Sequence, residues 1–296
     1  MPAVLANLIF QQMKKLFLAG ITLLWSSTFL GQNKAPYQFY NSKGKKTSYS
    51  KLLKNTKKVD IVLFGEFHDN SIVHWLQLEF TKDIAQKRAL ILGAEMIETD
   101  NQQALNQYLK GEITQKGLDT LARLWNNHKT DYKPLVDFAK NNRTPFIATN
   151  VPRRYASMVF REGFEALNSL PSNEKKWIAP LPIPYDSTLP GYVKMIEMMG
   201  GHGGENLPKA QALKDATMAH NILENHIQGS LFIHYNGSYH SDDYEGIYWY
   251  LKKWQPSLKL ITIATVTQSS INSLDKQYLN KADFILVIDE DVTRTY

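Results

Sequence analysis

The chain has 296 residues, 43% hydrophobic and 21% charged, with a formal net charge of +6. That balance predicts a packed globular core and excludes a low-complexity or repeat architecture. There are no cysteines, which excludes a disulfide framework and lipid attachment at a leader cysteine.

The first segment differs from the rest. Met13 opens "MKKLFLAGITLLWSSTFLGQ", in which Lys14 and Lys15 precede an apolar run from Leu16 to Trp25. Small residues, Ser26, Ser27 and Gly31, follow. This is the layout of a secretory signal peptide, and the run is short for a membrane span. We expect residues 1–31 to be a leader whose true start is Met13. Residues 32–296 then form a single exported domain, periplasmic or extracellular and not lipid-anchored. The basic clusters at Lys43–Lys46 and Lys54–Lys58 lack interleaved aromatics. They read as solvated surface, so no nucleic-acid partner is expected.

Six short apolar runs then read as buried strands: Val59–Gly65, Ala89–Glu95, Thr144–Asn150, Ser230–Gly237, Leu258–Val266 and Ala282–Asp289. Their continuous hydrophobicity suits a parallel sheet covered on both faces. Helical patterns separate them. Asn70 or Ser71 caps a stripe of Ile72, Leu76, Phe80 and Ile84. Val151–Leu167 starts with Pro152. Leu207–Ile227 carries Leu213, Ala216, His220, Leu223 and Ile227 on one face. The expectation is an α/β fold with a mostly parallel sheet flanked by helices. Residues of about 97–143 form a helical insertion and residues of about 171–206 a proline- and glycine-rich one. Both are long enough to be caps or binding loops.

Open parallel sheets bind ligands beyond the carboxyl ends of their strands. Polar residues gather at those ends here. The first strand leads into Glu66, His68 and Asp69. The second ends at Glu95, and the third leads into Asn150, Arg153 and Arg154. The fourth leads into Asn236, Tyr239, His240 and Asp242. "GEFH" (Gly65–His68) and "GSYH" (Gly237–His240) are both Gly-x-x-His directly after an apolar strand. Glu66, His68, Glu95 and His240 are therefore the catalytic or metal candidates, with Asp69, Asn236 and Asp242 as supporting polar groups. His220 reads as a core histidine, and His128 and His226 as surface residues. His202 stands alone in "GGHGG", just after Met195, Met198 and Met199, a face suited to an adaptable apolar contact. The chain has no dinucleotide fingerprint, P-loop, nucleophile elbow or zincin motif.

The blocks "LFGEFHDN", "GAEMIETDNQQALNQYLKGEI", "KAQALKDATMAHNI" and "HYNGSYHSDDYEGI" resemble the ChaN family of the haem-binding-uptake and Tiki superfamily. The resemblance runs from about Val59 to about Ile288. It implies an α/β core with a helical cap, and haem held at a dimer interface by a tyrosine ligand. It also implies a role in haem or iron uptake, with a haem receptor or transporter as partner. Tyr185, Tyr192 and Tyr239 are the haem-ligand candidates, beside Tyr108, with His202 and Met199 completing the pocket. The family usually carries a lipobox cysteine, which this chain lacks. The wider superfamily implies an alternative, a hydrolase of the cell envelope. It would use Gly65, His68, Gly237 and His240 with the two glutamates, through a divalent metal or by acid/base chemistry. A haem-binding protein is the first reading and an enzyme the second.

Overall fold

Each of the six apolar runs forms a strand, and a short hairpin precedes them. The computed structural model describes Met13, residues 34–198, Gly200 and residues 204–296. The leader-like stretch Lys14–Trp25 and the candidates Met199 and His202 lie outside the described residues. Residues 36–296 make one compact unit.

The hairpin is β1 (Tyr37–Asn41) with β2 (Lys46–Thr47), followed by α1 (Tyr49–Asn55). The alternating part begins with β3 (Ile61–Glu66), α2 (Ser71–Ala85) and β4 (Leu90–Glu98). The first insertion holds α3 (Gln102–Leu109), α4 (Gln115–Leu121), a π-helical turn at His128–Tyr132 and α5 (Lys133–Asn142). Next come β5 (Phe146–Asn150) and α6 (Arg153–Glu162). The second insertion holds α7 (Ser172–Lys175) and α8 (Pro190–Met198). The chain closes with α9 (Asn206–Asn225), β6 (Leu231–Gly237), α10 (Ile247–Trp254), β7 (Leu260–Gln268) and β8 (Phe284–Asp289).

The strands make one sheet in the order β2-β1-β8-β7-β3-β6-β4-β5. From β8 to β5 all pairs are parallel, and only the β1–β2 hairpin runs antiparallel against β8. The expected mostly parallel α/β architecture is what forms. Strands β3, β4 and β6 are buried along their whole length, as helices on both faces require. One face packs Phe64, Leu92, Ile233 and Tyr235 under Phe80 of α2 and Val136 of α5. The other packs Leu63, Ile91 and Phe232 against Leu213 and Ala216 of α9 and Tyr250 of α10.

Three local expectations need correction. Tyr37–Asn41 was not anticipated as a strand. Only Phe39 and Tyr40 of it are buried, so it lacks the continuous apolar run of the central strands. His128, expected at the surface, is buried, and burial lowers its pKa to about 4. Ile227 lies beyond the end of α9 and is exposed, whereas Ala219 and Ile222 complete the buried stripe and His220 is half-buried.

Candidate functional site

The strand order decides which ends meet. Strand β6 lies between β3 and β4, and Glu66 registers with Gly237. The two Gly-x-x-His segments are therefore neighbours, and Glu95 reaches them from the other side. Gly65 ends its run where a Cβ would stand 2.8 Å from the Ile263 carbonyl oxygen and 2.9 Å from Ser238 Oγ. Only glycine lets the two turns approach this closely. Asn70 then caps α2, its side chain accepting from the Val73 amide at 3.1 Å. Between Glu66 and that cap the chain turns, leaving Phe67 exposed and the His68 side chain 30% exposed.

Two histidine–carboxylate systems result. In the first, His68 Nδ1 lies 2.9 Å from Glu66 Oε1. Glu66 also accepts from the Tyr132 hydroxyl at 2.8 Å and the Gln77 amide at 2.6 Å. Asn127 donates to the His68 carbonyl at 2.9 Å. Burial alone would lower the His68 pKa, but the Glu66 hydrogen bond and the Glu95 charge outweigh it and raise the value. The ring also packs against Gly237, where a Cβ would stand 2.8 Å from His68 Nε2.

The second system is a fully buried line. His240 Nε2 lies 3.1 Å from Glu95 Oε1, and His240 Nδ1 lies 2.5 Å from Asp215 Oδ1 on α9. The Gly237 amide donates to Glu95 Oε2 at 2.7 Å. Burial opposes a charged imidazole, yet the two flanking carboxylates lift the His240 pKa to about 10. Burial likewise opposes the Glu95 carboxylate, but the His240 charge holds its pKa below the usual range. Asp215 moves up, because burial outweighs its share of the His240 charge. The two flanking carboxylates thus favour the charged form of His240. His68 is reachable from solvent and able to exchange a proton.

These residues floor a cleft of about 560 Å³ lined by Glu66, His68, Gln211, Ser238 and His240. Its rim carries the rings of Phe67, Tyr239 and Tyr296, which are 37%, 46% and 71% exposed. The Tyr239 hydroxyl donates to the Gly191 carbonyl of α8 at 2.8 Å. Asp242 also lines the cleft, and burial raises its pKa to about 7 despite Lys281. Asp69 holds Arg294 at 3.1 Å, and its carbonyl accepts from the Thr295 amide.

Other candidates fall elsewhere. Asn236 is wholly buried and donates to the Gly237 carbonyl and Ser241 Oγ, a brace beneath the edge. Tyr192 is buried with no hydroxyl partner among the described residues, stacked on Tyr185 at 5.5 Å, and Tyr185 meets Phe164. Burial pushes the Tyr192 pKa far up. Tyr108 is buried in the first insertion and donates to Asp137. Among the described residues no three His, Asp or Glu side chains converge as metal ligands. The two glutamates that the alternative reading offers to a divalent metal are each paired with a histidine.

Sequence reasoning missed Asp215, Gln77, Tyr132, Asn127 and Tyr296. None follows a strand, and each reaches the edge from a helix, an insertion or the last residues. A polar residue on the apolar side of α9 was the one available sign of Asp215.

The molecule is therefore an α/β protein with two histidine–carboxylate systems at one sheet edge. Residues 52–251 match the family described as haem-binding uptake, Tiki superfamily, ChaN, and the chain belongs to that family. Among solved structures it is similar to ChaN of Campylobacter jejuni, a structure described as showing cofacial haem binding. That likeness has a TM-score of 0.64 at 19% identity and covers 87% of this chain and 98% of that one. A Bacillus cereus protein matches at TM-score 0.47 and 12% identity, over 85% of this chain and 94% of its own. The RRSP effector domain of a Vibrio vulnificus toxin matches at 0.45 and 15%, over 83% and 40%. Comparison with curated protein sequences finds no match. Among the described residues no helix is long and apolar enough to cross a membrane.

Proposed function

We propose that this chain binds haem at the carboxyl edge of its sheet and serves haem or iron acquisition. One observation carries the reading beyond family membership. Three exposed aromatic rings, Phe67, Tyr239 and Tyr296, line the cleft that also holds His68. Such rings suit the face of a planar macrocycle. The Tyr239 hydroxyl is the oxygen donor that ferric iron, a hard acid, favours. Burial and the nearby carboxylates of Glu245 and Asp215 raise its pKa, so the phenolate would form only against a metal charge. Tyr185 and Tyr192 support the insertion by packing, which makes Tyr239 the first choice of ligand. Titration of the protein with hemin should give a saturable Soret shift. The shift should be lost in Tyr239→Phe and kept in Tyr192→Phe. No shift at micromolar hemin would sink the reading.

Export, a homodimer and transfer to a haem receptor belong to the same proposal. The Lys14–Trp25 sequence pattern supports the first, and the other two rest on the sequence resemblance alone.

A second reading rests on His68. With Nδ1 held by Glu66, its deprotonated form offers Nε2 as a base. Water would lose a proton to Nε2 and add to an ester or amide carbonyl, and the leaving group would recover that proton. Glu95 and His240 would hold the geometry. A panel of esters and peptides, tested with wild type and His68→Ala, decides it. Equal turnover by the two proteins, or none by either, removes it.

A further inference from the structure

The edge cleft does not end at Tyr296. The same ring lines a neighbouring cleft of about 610 Å³ with Trp125, Asn127 and Arg153. Trp125 and Arg153 in turn border a third, of about 500 Å³. Shared lining residues make the three a run: Tyr296 joins the first two, and Trp125 and Arg153 the second and third. Trp125 joins it to the reactive floor, since its ring meets His68 edge-on at 4.8 Å.

The far end of this run is cationic. Glu98 ends β4 and accepts from Arg123 at 2.7 Å and Arg153 at 3.3 Å. Asp100 takes Arg123 at 2.6 Å and Arg154 at 2.7 Å. Three guanidinium groups thus face two carboxylates, which leaves one positive charge in excess. Arg153 is the most exposed of the three, its side chain 74% accessible against 49% for Arg123 and 44% for Arg154, and it makes one long contact, to Glu98. Glu98 is already satisfied by the shorter Arg123 pair, so Arg153 is available to an incoming acid. A planar guanidinium matches a carboxylate in a two-toothed geometry.

We propose that Arg153 is the carboxylate-recognising end of the ligand site. The ligand it selects is a flat molecule bearing acidic arms. Its planar body lies along Trp125 and Tyr296, its reactive centre lies toward His68 and Tyr239, and its acid group pairs with Arg153. This rests on the haem-binding reading and specifies which part of a haem-like ligand the β4–β5 side recognises.

The test compares hemin with hemin dimethyl ester, whose acids are masked, on wild type and Arg153→Gln. Loss of one charge-assisted pair is worth about tenfold in affinity. Wild type should prefer hemin to the ester by about that factor. Arg153→Gln should weaken hemin by the same factor, leave the ester unchanged and so erase the preference. Equal weakening of both ligands, or no change in either, overturns the inference while the haem reading stands. Failure of wild type to bind either ligand removes the haem reading and this inference together. The variant should fold, because Arg153 is largely exposed and Arg123 keeps Glu98 paired.

Discussion

At the scale of single residues, the buried Glu95–His240–Asp215 line ties stability to pH. The Glu95 and Asp215 carboxylates push the His240 pKa up to about 10 from an ordinary 6.5, so its contribution is full below pH 6.5 and lost as pH rises through the raised value. Glu95 lies below its ordinary 4.5, so its contribution is present above 4.5 and lost as acid approaches its folded value. The two overlap between pH 4.5 and 6.5. Asp215 is raised, so it favours the acid side of that window. His240→Ala leaves two buried carboxylates facing each other and should cost about 3–5 kcal/mol. Thermal melting against pH should lose its alkaline decline in the variant, and parallel profiles for the two proteins would refute the assignment. Gly237→Ala drives a methyl to within 2.8 Å of His68 Nε2. The ring must swing from Glu66, at a cost of about 1–3 kcal/mol. An NMR titration should then show the His68 pKa dropping, because the hydrogen bond that raises it is gone.

At the scale of elements, the turn from β3 into α2 does two jobs within five residues. Glu66 closes the strand, and Asn70 opens the helix by accepting from Val73. Asn70→Ala should therefore cost about 1 kcal/mol in urea unfolding, the ordinary value of a lost cap. Asn70→Ser should recover most of it. If the alanine variant is as stable as wild type, the cap is not what sets the turn. The same turn is tied from outside, because Asn70 bridges to Arg294 and the Asp69 carbonyl receives the Thr295 amide. That tether places Tyr296 between two clefts.

At the scale of the whole molecule, the sheet order sorts rigidity from access. Strands β3 and β6 are central and buried throughout, while β2 is a two-residue edge strand. Amide exchange should be slowest in β3, β4 and β6, and fastest in the β1–β2 hairpin and α8. Slow exchange in the hairpin would contradict this ordering. Of the candidate groups, Glu66 and Glu95 thus stand on buried central strands, whereas the rim of the cleft comes from turns and the last residues.

Much of this was legible in order along the chain. The six continuous apolar runs determined a parallel α/β sheet, since strands buried on both faces cannot alternate. The paired Gly-x-x-His segments and Glu95 marked one edge, because a glycine at a strand end lets the chain turn and keeps the residues after it at that edge. Asp215, Tyr132, Gln77 and Tyr296 could not be read this way. Each joins the site only because β6 inserts between β3 and β4, α9 lies across the sheet, and the last residues fold back on Asp69. Pairing of charges is likewise a matter of distance in space. The sequence alone marked Glu66, His68, Glu95 and His240 as ionisable, and tertiary structure decided that His240 lies buried between two carboxylates while His68 stays in reach of solvent.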